Sequence, residues 1–126
     1  MTTLLLALAG GAGAATRFLT DAVVARHNPF RVPLGTVVIN VIGSFLLGLL
    51  TGLFALSSPD TTGGALKAVI GTGFCGGYTT FSTAMVEAAR LWSAEGPGTG
   101  VRYATVTLAG SVTAAAVGLT IGRLLS

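Results

Sequence analysis

Gly71-Thr72-Gly73-Phe74-Cys75-Gly76-Gly77-Tyr78-Thr79-Thr80-Phe81-Ser82-Thr83 is the stretch whose reading decides the fold. Apolar chain runs up to it and away from it, yet the stretch itself is rich in glycine and hydroxyls, which loosen a helix. Inside a membrane, a segment that gives up helical hydrogen bonds midway must direct the freed backbone groups to an ion, a substrate or a neighbouring subunit. Four hydroxyls surround Phe81 at Thr79, Thr80, Ser82 and Thr83. Hydroxyls of this kind often bond only their own helix carbonyls. Four in five residues directly after Gly76-Gly77 is more than that role needs. Carbonyls freed at the break suit a small hard cation, and the hydroxyls with the positive edge of the Phe81 ring suit a narrow anion path.

Composition sets the frame around this stretch. Of 126 residues, 52% are hydrophobic and 9% charged, against about 25% charged in a soluble domain. Mean hydropathy is +0.83. The chain therefore reads as an integral membrane protein, all-α, with length for four spans of about 20 residues and no soluble domain. Spans are expected over about residues 4–25, 34–56, 65–92 and 101–124, forming one transmembrane domain over 1–126. The loops between them are Arg26 to Pro33, Ser57 to Gly64 and Ser93 to Gly100, marked by proline, glycine and charge. A single cysteine, Cys75, excludes an internal disulfide and a multi-cysteine metal site. No basic side chain precedes Leu4-Leu5-Leu6, so no cleavable signal is expected. The net charge of +3 fits anchoring of loops at lipid headgroups rather than nucleic-acid binding. Arg26, Arg31, Arg90 and Arg102 fall at the first and third loops, against Lys67 and Arg123 on the other side, a slight bias toward cytoplasmic placement of those loops.

Several polar residues stand inside apolar runs. Arg17 costs at least about 2.5 kcal/mol at the centre of a span; it either snorkels to the interface or faces protein and attracts anions. Asn40 either joins two helices by a hydrogen bond or donates its amide to a passing anion. Glu87, near the far end of the third span, is a solvated vestibule group or pairs with Arg90. Gly10 to Ala15 departs from a nucleotide-binding loop, with Thr16 where the last glycine belongs and no preceding strand. It reads instead as a surface for close helix contact. Gly48/Gly52 and Gly118/Gly122 have GxxxG spacing, a mostly structural signal.

The chain resembles the small bacterial fluoride channels of the Fluc (CrcB) family, essentially over its whole length. The resemblance rests on Gly10-Gly11 through Arg17, on Pro33-Leu34-Gly35-Thr36 with Val38 to Gly48, on the stretch Gly71 to Thr83, and on Tyr103 and Ser111 in the fourth helix. It implies a passive fluoride-selective channel rather than an enzyme, multi-pass in the bacterial inner membrane. It implies an antiparallel, dual-topology dimer of four-helix subunits with the third helix broken in mid-membrane. Two fluoride pores then run along the subunit boundary. A structural, untransported Na⁺ is held by the backbone carbonyls of Gly76 and Thr79 from both subunits. Asn40 takes the place of the pore asparagine and Phe81 of the first pore phenylalanine. Thr80, Ser82, Thr83 and Ser111 match the polar track, Tyr103 the fourth-helix tyrosine, and Arg17, Thr36 and Glu87 the vestibule.

One departure stands out: Ala84 occupies the position of the family's second pore phenylalanine. Either Met85 or another side chain fills the gap in a homodimer, or the chain is one half of a heterodimer with a related subunit. The physics agrees with a boundary pore, because a four-helix bundle fills its own centre with side chains. Fluoride is tightly hydrated, so stripping its water demands dense, fixed donors. Two rivals differ in class. A small multidrug antiporter needs a buried central carboxylate, whereas Asp21 lies close to a helix end. A non-conducting assembly subunit is the other.

Overall fold

The computed structural model describes residues 2–30 and 32–126. Arg31, counted above among the basic residues of the first loop, lies outside them. All regular structure among the described residues is helical: α1 (Thr2–His27), α2 (Leu34–Leu53), α3 (Thr62–Leu66), a π-helical stretch (Lys67–Cys75), α4 (Gly76–Tyr78), α5 (Phe81–Glu95) and α6 (Pro97–Leu125). Three of these helices, Thr3–His27, Leu34–Leu53 and Pro97–Leu125, are long and apolar enough to cross a membrane. The residues between α2 and α6 form shorter pieces in succession.

The helices are inside-out relative to a soluble bundle. Only 6% of the apolar window of α1 and 11% of that of α6 is buried, and Leu4, Leu8, Phe18, Leu108 and Val112 point outward. Lipid is the solvent that tolerates such a surface. What is buried instead is small or polar: Ile39 and Cys75 are the largest fully buried side chains, beside Thr36, Asn40, Thr80 and Thr107.

Glycine makes this packing possible by letting backbones touch. The most extensive contact joins α2 to α6, and there the two GxxxG spacings meet. A side chain on Gly48 would strike the Ala115 carbonyl, one on Gly118 the Phe45 carbonyl, and one on Gly122 the Leu49 carbonyl. On the other side of the bundle, Gly13 of α1 lies against the Phe74 carbonyl and Gly77 against the Gly10 carbonyl. Dispersion between closely approached backbones replaces the hydrophobic effect that lipid cannot supply.

Three boundaries differ from the sequence expectation, one of them the second loop, which ends before α3 begins at Thr62 rather than at Gly64. The loop expected over Ser93 to Gly100 shrinks to Gly96, which adopts φ +102°. There Gly96 caps α5 through its N–H to the Trp92 carbonyl at 3.1 Å, and Pro97 starts α6 where no N–H is required. Glycine at the left-handed turn and proline at the first helical position together replace a loop. Likewise α2 ends at Leu53 rather than Leu56, closed by turns at Phe54 and Ala55. The first-loop residue Phe30 shares one cavity with Thr99 and Arg102 of α6 and another with Glu95 of α5. The first and third connections therefore lie at the same end of the bundle.

Candidate functional site

The glycines of the decisive stretch do not themselves break the helix. Gly71 and Gly73 sit in the π-helical turns and Gly76-Gly77 in α4, all still helical. The interruption falls at Thr79 (φ −78°, ψ 159°) and Thr80 (φ −151°, ψ 117°), both extended. Two consecutive β-branched residues suit that backbone. A π-helical run just before it is itself unusual, since wide turns of this kind are rare outside functional segments.

The hydrogen bonds at the interruption can be followed one by one. Thr79 still donates its N–H to the Cys75 carbonyl at 2.9 Å, and its hydroxyl donates to the same oxygen at 2.9 Å. The Thr80 N–H, which would meet the Gly76 carbonyl in a continuous helix, goes instead to Asn40 Oδ1 at 2.8 Å. Asn40 Nδ2 donates back to the Thr80 carbonyl at 2.8 Å. The Thr83 N–H, which would meet the Thr79 carbonyl, goes to Thr80 Oγ1 at 3.3 Å and so caps α5. That hydroxyl also donates to Thr83 Oγ1 at 2.9 Å. The Gly76 and Thr79 carbonyls thus lose their helical donors to side chains. Gly76 is exposed, and a side chain there would meet nothing within 4 Å.

Two cavities flank Thr80. The first, about 220 Å³, is lined by Asn40, Ser44, Thr79, Thr80, Phe81, Ala84, Met85, Thr107 and Ser111, among others. The Ser111 hydroxyl oxygen in its wall is buried and has no hydrogen-bond partner. Phe81 is 74% exposed on the rim, whereas Ala84 is 2% exposed. The second cavity, about 270 Å³, is lined by Ala14, Arg17, Phe18, Asp21, Thr36, Ile39, Thr80 and Thr83. Arg17 is half-buried there and, among the described residues, has no carboxylate within 4 Å, so it faces a protein cavity as a free cation. Thr80 belongs to both cavities.

The structure therefore groups the sequence candidates in two sets. Asn40, Thr79, Thr80, Phe81 and Ser111 share the first cavity; Arg17, Thr36, Thr80 and Thr83 share the second. Four candidates stand apart. Gly76 and Ser82 are exposed and line neither cavity. Tyr103 is buried and donates its hydroxyl to the Pro33 carbonyl at 3.1 Å, beside a cavity with Phe30 and Arg102. Glu87 lies in a further cavity with Asn28 and Glu95 and pairs with Arg90 at 3.3 Å, an exposed ion pair worth little.

Two cavity residues, Ser44 and Thr107, are not among the sequence candidates, and Asp21 is weighed there only against a central carboxylate. Ser44 follows Asn40 by four residues on α2, and Thr107 precedes Ser111 by four on α6, a spacing that puts each pair on one helix face. Thr107 is itself satisfied, its hydroxyl donating to the Tyr103 carbonyl at 2.8 Å. The carboxylate of Asp21 lies over Gly35, so a side chain at that position would require Asp21 to move.

Among the described residues no cluster of three or more histidines, cysteines or carboxylates could hold a metal ion. The arrangement offers two chemistries: neutral carbonyl acceptors on one side of the interruption, and hydroxyl and ring-edge donors with a free guanidinium on the other.

Comparison with known proteins agrees in scope. The family model for CrcB-like protein, Camphor Resistance (CrcB), matches residues 4–119. A Cutibacterium acnes protein named fluoride-specific ion channel FluC 2 is 48% identical over 97% of this chain and 98% of its own length. One named fluoride-specific ion channel FluC 1, from Leifsonia xyli, is 51% identical over 70% of this chain and 62% of its own. A FluC 2 from Rhodococcus jostii is 42% identical over 94% and 96%. With a match that runs from the start of α1 nearly to the end of α6, the chain belongs to the CrcB-like family and is a membrane protein, not an enzyme.

Proposed function

We propose that this chain is the subunit of a passive, fluoride-selective channel that lets cytoplasmic fluoride leave the cell and so limits its toxicity. The observation that carries the reading is the buried, unpartnered Ser111 hydroxyl in a cavity walled by Asn40, Thr80 and the exposed Phe81 ring. A buried donor without a partner is costly, and a small anion in the cavity is the partner that chemistry suggests. The names of the relatives from Cutibacterium, Leifsonia and Rhodococcus point to the same anion.

On this reading the pieces from Thr62 to Glu95 act together as one span, interrupted in mid-membrane at Thr79–Thr80, giving four spans in all. Two subunits associate in antiparallel, dual-topology fashion, and the exposed Phe81 ring faces the pore at their boundary. Arg17, with Thr36 and Thr83, draws the anion into the second cavity. Thr80, Ser82 and Ser111 replace its water in turn. Nothing in the site couples transport to an energy source, so the gradient and the membrane potential drive the flow: fluoride enters as HF and leaves as the anion.

A structural Na⁺ fits the donor set. The Gly76 and Thr79 carbonyls lack their helical donors, Gly76 lies on an open face, and neutral oxygens are the ligands a hard monovalent cation takes at membrane depth. The ion would supply fixed positive charge at the subunit boundary. Two carbonyls per chain make an incomplete shell, which itself favours a dimer.

A second reading is favoured by Ala84. With a small residue where the family carries a ring, the chain is one half of a heterodimer whose partner supplies the missing aromatic. Met85, which lines the same cavity, is the internal substitute if the homodimer conducts.

The test is efflux from liposomes loaded with KF after addition of a potassium ionophore. Fluoride should be released and chloride retained. A folded, dimeric preparation that releases no fluoride sinks the homomeric channel, and co-reconstitution with a related subunit then decides the heterodimer.

A further inference from the structure

We infer that Asn40 is a positioning residue whose amide, together with the Thr80 hydroxyl, strips the Gly76 and Thr79 carbonyls of their helical donors and thereby makes the cation site. The inference rests on the proposed Na⁺ reading and adds to it the device that builds the site.

A buried N–H or carbonyl must find a partner, and in a membrane core the first choice is the next turn of the same helix. Gly76 and Thr79 would ordinarily be satisfied by the N–H groups of Thr80 and Thr83. Each of those N–H groups is instead taken by a side chain: Thr80 N–H by Asn40 Oδ1 at 2.8 Å, Thr83 N–H by Thr80 Oγ1 at 3.3 Å. Asn40 also satisfies the Thr80 carbonyl, so Thr80 does not compete for the cation. Asn40 is 8% and Thr80 9% exposed, and the pair is 40 residues apart in sequence, so water does not readily replace the contact. The Gly77 and Tyr78 carbonyls likewise receive no backbone N–H across the interruption, but only at Gly76 and Thr79 has a side chain taken the donor that would close the helix.

It follows that Asn40 serves the pore and the cation at once. Its amide has one N–H left over after the Thr80 bonds, and Asn40 lines the cavity shared with Phe81 and Ser111. Losing the amide returns the Thr80 N–H to Gly76 and lets the interruption close toward helix.

Purified protein is titrated with NaCl against N-methyl-D-glucamine chloride at constant ionic strength, and thermal unfolding is followed. The wild-type protein should be stabilised by Na⁺ with a measurable midpoint. In Asn40→Ser and Thr80→Val that midpoint should rise at least about tenfold, a loss of about 1.4 kcal/mol in binding. Thr80→Ser, which keeps the hydroxyl, should retain it. If Asn40→Ser does not fold, Thr80→Val decides alone. A wild-type protein indifferent to Na⁺ removes the cation reading and this inference with it. A Na⁺-responsive wild type whose Asn40 and Thr80→Val variants keep its midpoint overturns the inference only.

Discussion

Replacing Ser111 by alanine should move stability and conduction in opposite directions. The Ser111 hydroxyl is buried without a hydrogen-bond partner, and such a group costs about 1–3 kcal/mol. Alanine at the same helical position removes the hydroxyl, leaves the backbone alone and improves helix propensity. The Ser111→Ala protein should therefore be more stable by about 1–2 kcal/mol, a rise in Tm of about 3–8 °C for a chain of this size. Conduction should suffer, because a hydrogen bond to a charged partner is worth about 1.5–3 kcal/mol. If that bond forms at the barrier, flux falls by about 10- to 150-fold. The two assays are thermal unfolding in detergent and fluoride-electrode efflux from liposomes. Thr107→Val is the contrast: its hydroxyl donates to the Tyr103 carbonyl at 2.8 Å, so its loss should change flux less than about threefold, as expected of an interhelical or local bond worth about 0.6 kcal/mol. A Ser111→Ala protein that is less stable than wild type and conducts normally would refute the reasoning, since the hydroxyl would then be holding the fold rather than awaiting an anion.

Three further substitutions test other parts of the site. Phe81→Ile should abolish fluoride efflux while changing stability by no more than about 0.5 kcal/mol, because the ring is 74% exposed within the chain; normal efflux would remove the ring from the pore. Arg17→Gln should slow efflux several-fold at low ionic strength, with the difference shrinking as salt screens the vestibule; an unchanged rate at low salt would assign Arg17 to snorkelling. Gly118→Val should destabilise by about 1–3 kcal/mol or more, since any side chain there meets the Phe45 carbonyl, and a monodisperse protein of unchanged Tm would discard the α2–α6 glycine contact.

How much of this could be read in advance follows from what each signal encodes. Hydropathy marked α1, α2 and α6 because a span leaves a long, uninterrupted apolar record. The GxxxG spacings marked the α2–α6 contact but not its partner, because spacing fixes a face and not what lies opposite. Gly96-Pro97 hid a one-residue connection inside an apparent loop: composition rich in serine, glycine and proline reads as loop whether or not helices extend into it. The interruption was placed too broadly for a related reason. Glycine weakens a helix on average, yet Gly71, Gly73 and Gly77 pack at close helix contacts or in the π-helical turns and stay helical, while the break falls on two threonines held by Asn40. An interruption also resets the angular register, so residues after Thr80 cannot be assigned to a face by counting from Gly71. Ser82 and Thr83, adjacent in the motif, separate because successive residues of α5 point about 100° apart.

The interruption leaves backbone carbonyls without helical donors beside the anion path. Thr79, Thr80 and Thr83 all have N–H groups bonded within the protein, whereas the Gly76 and Thr79 carbonyls lose their helical donors. Left unused, those carbonyls would be a concentration of negative partial charge next to an anion path, and would repel fluoride from the very cavity that Ser111 and Phe81 line. A cation bound to them reverses the sign of that field at the place where fluoride must give up water, in a medium where charges are poorly screened. On this reading the cation and the anion path are not two features that happen to share a motif. The same two side chains, Asn40 and Thr80, create the need for the first and line the wall of the second, so a substitution at either should disturb both.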